Sequence, residues 1–304
     1  MLASINDLPA GDQPSLYLTA YQAWLSTQLL SVHTRRAYLS RLRLFCSFLQ
    51  NQPPLYGNPF QNEFARDYAV RDFKTYLKTN RLAKPASVNL NLAALDHFYA
   101  FVGMSRPQVS REELAQIAPV ALDLEEQKHF LRILQTSASG RDRAVATLLL
   151  YTGLRIAECV ALNLEDVVLS ERKGRVIVRS GKGNSYREVP INNQARKALQ
   201  DWKEQRTSKF PDISLTAFFL TRQGQRLSCR ALDLRLRQLA AKAGLAFSAH
   251  TLRHTCLTNL VRGGYDLVLV AEIAGHKRLE TTRRYSLPTL KDREGAMQSL
   301  EVAY

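Results

Sequence analysis

Several things are scarce in this chain of 304 residues, and each scarcity excludes something. There are four cysteines, Cys46, Cys159, Cys229 and Cys256. None belongs to a C-x-x-C pair, and the spacing is too wide for a zinc cluster. All four sit in apolar helical contexts and read as buried free thiols, which suits a reducing cytosol. No long hydrophobic run is present. The longest, 144–151, is interrupted by Thr147 and falls far short of the roughly 20 residues that span a bilayer, so no membrane partner is expected. The first seventeen residues carry no basic residue ahead of an apolar core, which makes a poor signal peptide. There is no Walker A sequence and no acidic cluster of two-metal character. No ATP site, no metal and no other cofactor is therefore expected.

Acidic residues are also in short supply. Forty-two Lys and Arg face 27 Asp and Glu, giving a formal charge of +15 and a pI near 9.9. Such an excess points to a polyanionic partner, most often nucleic acid. A basic tail would concentrate the charge, but here both halves of the chain are positive. Two domains gripping one partner would have this distribution. Hydrophobic residues make up 45% of the chain, enough for two cores of ordinary size.

The pattern along the chain is mainly helical. Residues 1–13 read as a loose lead-in. Helical stretches follow at about 15–30, 34–49, 61–77 and 85–102. The second opens at Thr34 as N-cap and puts Tyr38, Leu42, Phe45 and Leu49 on one stripe. The fourth starts at Pro85 after Lys84. These make an all-helical unit over 14–104. Residues 105–122 mix Pro, Ser and charge and read as a linker, part extended and part helical turn. The second unit, 123–304, is mostly helical, with helices expected at about 124–134, 142–151, 154–162, 193–205, 229–243, 251–261, 266–274, 281–285 and 290–300. Short alternating runs flank the GKGN turn near 176–189 and read as a β-hairpin. The fold class is thus mainly α, with a small antiparallel β element in the second unit.

Six residues in the second unit carry the chemistry: Arg155, Lys182, His250, Arg253, His276 and Tyr285. Four are permanent or potential cations, one is a second imidazole and one a phenol. In-line phosphoryl transfer without a metal needs such a set. Fixed positive donors hold the charge on the phosphate, a proton source serves the leaving group, and a side-chain oxygen attacks. Taken singly each is weak. A turn lysine such as Lys182 is usually solvated, an H-x-x-R such as His250–Arg253 occurs by chance, and one tyrosine among twelve is usually core. Arg155 differs, lying in an apolar neighbourhood where a buried guanidinium needs a partner.

The ordered set resembles the catalytic domain of the tyrosine recombinases, the phage-integrase family. The similarity rests on TGLRIAE at 152–158, GKG at 181–183, HTLRHT at 250–255, GH at 275–276 and Tyr285. The pattern T-R-R-A-Y-x-x-x-L-x-x-F-x-x-F-L at 34–49, and ASVNLNLAALDHFYAFV at 86–102, look like that family's helical core-binding domain. The resemblance implies a site-specific recombinase of Xer-like, two-domain type, or an integrase or resolvase of a mobile element. Tyr285 would attack a DNA phosphodiester, form a 3′-phosphotyrosine and release a 5′-hydroxyl. Arg155 and Arg253 would clamp the non-bridging oxygens, with His276 adding a hydrogen bond. Lys182 would protonate the leaving oxygen, and His250 would assist proton transfer or orient the phosphate. Glu158 would orient Arg155.

The partner implied is double-stranded DNA carrying a specific site. It would be held by four protomers through a Holliday junction, with the tail helix of 288–304 docking on a neighbour. A paired recombinase or an accessory protein is compatible with this, as is a cytoplasmic place on the nucleoid. Phosphate contacts are expected from Arg35, Arg36, Arg41, Arg43, Lys84, Arg230 and Arg235. Three rivals fit parts of the pattern: a topoisomerase-like relative, a DNA-binding protein with a vestigial site, and a metal-dependent transposase. The target site and the biological role are not written in the residues.

Overall fold

The protein is described by a computed structural model covering residues 14–52, 55–115, 118–179, 186–212, 214–288 and 290–300, with only the backbone described at 290 and 291. Its contacts divide it into two compact units, Met1–Ala115 and Gln116–Tyr304. Among the described residues no helix is long and apolar enough to cross a membrane.

Among the described residues the first unit holds four helices: α1 (Pro14–Thr27), α2 (Val32–Asn51), α3 (Glu63–Thr79) and α4 (Pro85–Phe101). Its core is strongly aromatic. Tyr17, Tyr21, Phe45, Phe60, Phe73, Phe98 and Tyr99 are all buried. Phe60 and Phe98 meet edge to face at 5.7 Å, as ring quadrupoles favour. Helix α2 begins earlier than its apolar stripe suggests. The N-cap is Ser31, whose Oγ accepts from the Thr34 amide, and Thr34 lies inside the first turn. The segment after α4 is no helical turn. Arg66 donates to the Ser105 carbonyl (2.6 Å), Lys74 to that of Ser110 (2.8 Å) and Asn89 to that of Glu112 (2.8 Å). Residues 105–112 are thereby laid along α3 and α4 as part of the first unit.

Among the described residues the second unit has nine α-helices: α5 (Leu124–Ser137), α6 (Gly140–Thr152), α7 (Ile156–Ala161), α8 (Asn193–Lys209), α9 (Cys229–Lys242), α10 (Ala249–Arg262), α11 (Leu267–Ala274), α12 (Leu279–Arg283) and α13 (Leu290–Gln298), with one large core and a smaller cluster of Leu257, Val270, Ala274 and Tyr285. Helix α6 is buried almost all round and lies against α8 and α10. The β element is a three-stranded antiparallel sheet in the order β1-β2-β3: β1 (Val167–Leu169), β2 (Gly174–Val178) and β3 (Arg187–Pro190). Val167 pairs with Val176, and Val176 with Val189, so one face buries a valine row. The hairpin expectation thus gains a third strand. The GKGN turn between β2 and β3, with Lys182, lies outside the described residues. Cys46, Cys159 and Cys256 are buried free thiols, whereas Cys229 is only half-buried, at the first position of α9.

Candidate active site

Two glycines build the frame of the site. Gly153 ends α6 at φ +60° and Gly275 ends α11 at φ +65°, both in the left-handed region. Each turn leaves backbone carbonyls facing inward, and guanidinium groups take them. Arg253 donates to the carbonyls of Gly153 and, at 2.9 Å, Ala274. Arg155 donates to the Gly275 carbonyl at 3.0 Å, and Arg187 to that of Ile273 at 3.0 Å. Three consecutive carbonyls at the C-terminal end of α11 therefore hold three cations. That end carries the negative pole of the helix dipole and suits them.

Behind the arginines sits a buried carboxylate. Glu158 accepts from Arg155 Nη1 (2.8 Å) and its backbone amide (2.8 Å), and from Arg187 Nη1 (3.1 Å) and Nη2 (2.7 Å). Burial alone would raise its pKa. The hydrogen bonds from Arg187 and Arg155 outweigh that and keep it below the usual carboxylate range. Glu158 thus fixes Arg155, itself the N-cap residue of α7, whose side chain is 38% exposed and lines the cavity. Arg253 is nearly fully buried. Desolvation, reinforced by the field of Arg155, pulls its pKa down to about 10, so it stays charged at neutral pH.

The imidazoles complete the ring. His276 follows Gly275, with Nε2 2.8 Å from Arg253 Nη2 and Nδ1 2.8 Å from Thr282 Oγ1. A guanidinium can only donate, so Nε2 accepts and Nδ1 carries the proton. Desolvation first, then Arg253 and Arg155, pull this imidazole down to about 4, which keeps it neutral. His250 and His254 lie one turn apart on α10, their rings 4.1 Å apart. Tyr285 sits in a 3₁₀ turn after α12, only 6% exposed, with Oη 2.8 Å from His254 Nδ1. Burial raises its pKa, and the fields of Arg253 and Arg284 oppose the rise.

Arg155, His250, Arg253, His276 and Tyr285, five of the six residues singled out from sequence, line one cavity of about 180 Å³. Lys182 lies outside the described residues. Sequence reasoning passed over His254 and Arg187. The first had a signal, since four residues after His250 on a helix is the same face. The second had none, because its partner Glu158 is 29 residues away. A larger cavity, about 530 Å³, is bordered by Arg141 and Arg235, but both of these pair with the buried Asp142.

The basic residues expected to touch phosphate divide between the units. Arg35, Arg36, Arg41 and Arg43 lie on α2, and Lys84 is the N-cap residue of α4. Arg230 and Arg235 lie on α9. Arg36, Arg43, Lys84 and Arg230 are exposed. Arg41 is half-buried and donates to the Ala37 carbonyl at 3.1 Å. Arg235 gives its Nε to Asp142 at 2.7 Å and so has a structural task at the start of α6.

Guanidinium and imidazole groups gathered around one phenol on this helical fold make a site suited to holding a phosphate. Residues 121–290 match the phage integrase family, and residues 18–103 match the phage integrase N-terminal SAM-like domain. The tyrosine recombinase XerC of Stutzerimonas stutzeri is 30% identical over 279 residues, covering 88% of this chain and 90% of that protein. XerC of Vibrio cholerae serotype O1 is 29% identical over 294 residues, covering 91% and 90%. The fold is shared with the XerH recombinase bound to difH DNA before cleavage (TM-score 0.71, 21% identity, 95% of this chain and 85% of that one). It is shared equally with the Tn1549 transposon integrase in complex with circular intermediate DNA (TM-score 0.71, 18% identity, 94% and 99%). The chain belongs to the phage integrase family: it is a tyrosine recombinase, an enzyme that cuts and rejoins DNA in site-specific recombination.

Proposed function

We propose that Tyr285 is the nucleophile, attacking a DNA phosphodiester to give a 3′-phosphotyrosine and a free 5′-hydroxyl. The observation that carries this is the position of its Oη, inside the cavity formed by Arg155, His250, Arg253, His254, His276 and Arg284. A phosphate entering there meets two fixed guanidinium forks, whose planar donors match its non-bridging oxygens. Their carbonyl and carboxylate partners hold them in place before DNA arrives, so little reorganisation remains for the transition state. His276 adds a hydrogen bond once the phosphate displaces its contact with Arg253 and the ring proton moves to Nε2, with Nδ1 then accepting from Thr282. Glu158 and Arg187 act through Arg155. Lys182, by family resemblance, protonates the leaving 5′-oxygen. The covalent link conserves the energy of the cleaved bond, so resealing needs no nucleotide.

Recombination then proceeds through strand exchange and a Holliday junction within a tetramer. The element moved is a chromosome-resolution site, as the Xer relatives suggest, or a mobile element, as the transposon integrase suggests. The first unit clamps DNA with the α2 arginines and Lys84, the second with Arg230. The role of Tyr285 is tested with a nicked-site substrate. Tyr285→Phe should bind DNA normally and lose all covalent adduct. Adduct formation by the Phe variant would refute the assignment.

A further inference from the structure

The acceptor of the phenolic proton is a distinct question, and among the described residues the geometry points to one atom. Glu158 is committed to two arginines. Both nitrogens of His276 are taken, by Arg253 and Thr282. His250, the imidazole favoured by the sequence pattern, lines the cavity with its ring against His254. His254 Nδ1 alone among these groups lies on the nucleophile, 2.8 Å from Oη. The sense of that bond follows from the other side of the phenol. Arg253 sets its positive charge beside the Tyr285 oxygen and, as a guanidinium, can offer it only donors. The hydroxyl is left to donate toward His254.

We propose that His254 is a catalytic residue, the general base that takes the Tyr285 proton on Nδ1 during cleavage and returns it during resealing. The proposal rests on Tyr285 being the nucleophile. In cleavage the Oη–phosphorus bond forms and the phosphorus–O5′ bond breaks. The phenolic proton passes to Nδ1, and the departing 5′-oxygen takes a proton from a separate acid. In resealing the 5′-hydroxyl attacks phosphorus and gives its proton back to the group that supplied one in cleavage, the Oη–phosphorus bond breaks, and the Tyr285 oxygen leaves with the proton held by His254. No oxidant, metal or nucleotide enters the balance.

The surroundings set when this base operates. His250 and Arg253 on its own helix, Arg284 beside the tyrosine and His276 from the turn after α11 all face it. Desolvation, joined by these groups, pulls the imidazole down to about 4 in the free protein. It is therefore neutral and able to accept. A DNA phosphate brings negative charge into the same cage and raises the basicity of the ring when the proton must move.

The test is single-turnover adduct formation on the nicked substrate. His254→Asn places an amide oxygen near the position of Nδ1, so it preserves the hydrogen bond but cannot take the proton. The expected result is normal DNA binding with cleavage slowed on the order of 10²–10⁴-fold at neutral pH. Replacing Tyr285 by a fluorinated tyrosine of lower pKa should then recover about tenfold or more of the lost rate. A positioning role would not give that recovery. An Asn variant that cleaves at the wild-type rate, or one that fluorination fails to rescue, overturns the proposal. If the Asn variant does not fold, fluorotyrosine in the otherwise unaltered protein decides. A base-assisted rate should respond weakly to phenol acidity, and a steep response overturns the idea. Failure of the nucleophile assignment would look different, because Tyr285→Phe would still form adduct.

Discussion

Arg155 and Arg253 are placed by backbone oxygens and by one carboxylate, so the consequences of losing those partners follow directly. Glu158→Gln keeps the shape but removes the charge that holds two guanidinium groups. Breaking a buried pair of this kind costs about 3–5 kcal/mol, reduced here by the partial exposure of Arg155. A thermal melt should show the destabilisation, and adduct formation should fall with it because Arg155 loses its aim. An unaltered melting temperature would contradict the role given to Glu158.

The histidines predict the pH response. His254 and His276 titrate near 4 in the folded protein against about 6.5 unfolded, so the unfolded chain binds more protons between those values. Their stabilising contribution is full above about pH 6.5 and is lost as pH falls toward 4. Denaturation midpoints of the wild type should drop across that window more than those of a variant lacking both imidazoles. Equal slopes would contradict it.

At the scale of elements, the C-terminal turn of α11 holds most of the site together. Gly275→Ala would force an alanine to φ +65° and set its Cβ 2.8 Å from Arg187 Nη1. The left-handed backbone alone costs about 1–2 kcal/mol. Because that turn also presents the carbonyls of Ile273, Ala274 and Gly275, cleavage should fall further than stability does. A variant with wild-type cleavage would show that the carbonyl frame is not needed.

Much at this scale was legible in the chain. The stripe Leu42–Phe45–Leu49 and the Pro85 start gave α2 and α4, because tertiary packing agreed with the period. The N-cap of α2 was misplaced because Ser31 and Thr34 are both good caps, and only geometry shows which oxygen meets the amide. Strand β1 was missed because three residues are too few to display alternation. Within the site, the motif residues were readable because each carries a rare combination of charge and position. Arg187 was not, since its meaning comes from Glu158 and the Ile273 carbonyl, which are distant in sequence and near only in the fold.

At the scale of the whole molecule, the excess of positive charge and the two compact units fit a protein that closes on DNA. The proposed tetramer would assemble through the tail, where Met297 in α13 and Leu300 just after it are exposed. Removing residues 288–304 should leave DNA binding by single protomers and abolish the four-protomer complex, as read by mass photometry. A tetramer of unchanged abundance would refute that assignment.

The account as a whole stands on the chemistry of one oxygen, which mass spectrometry can identify. Trapped protein–DNA adduct, formed in the presence of a chelator and digested with protease and nuclease, should yield one modified peptide. The account predicts a 3′-nucleotide phosphate esterified to Tyr285. A modification at another residue, a link to the 5′ end, or an adduct that forms only when divalent ions are restored would contradict it.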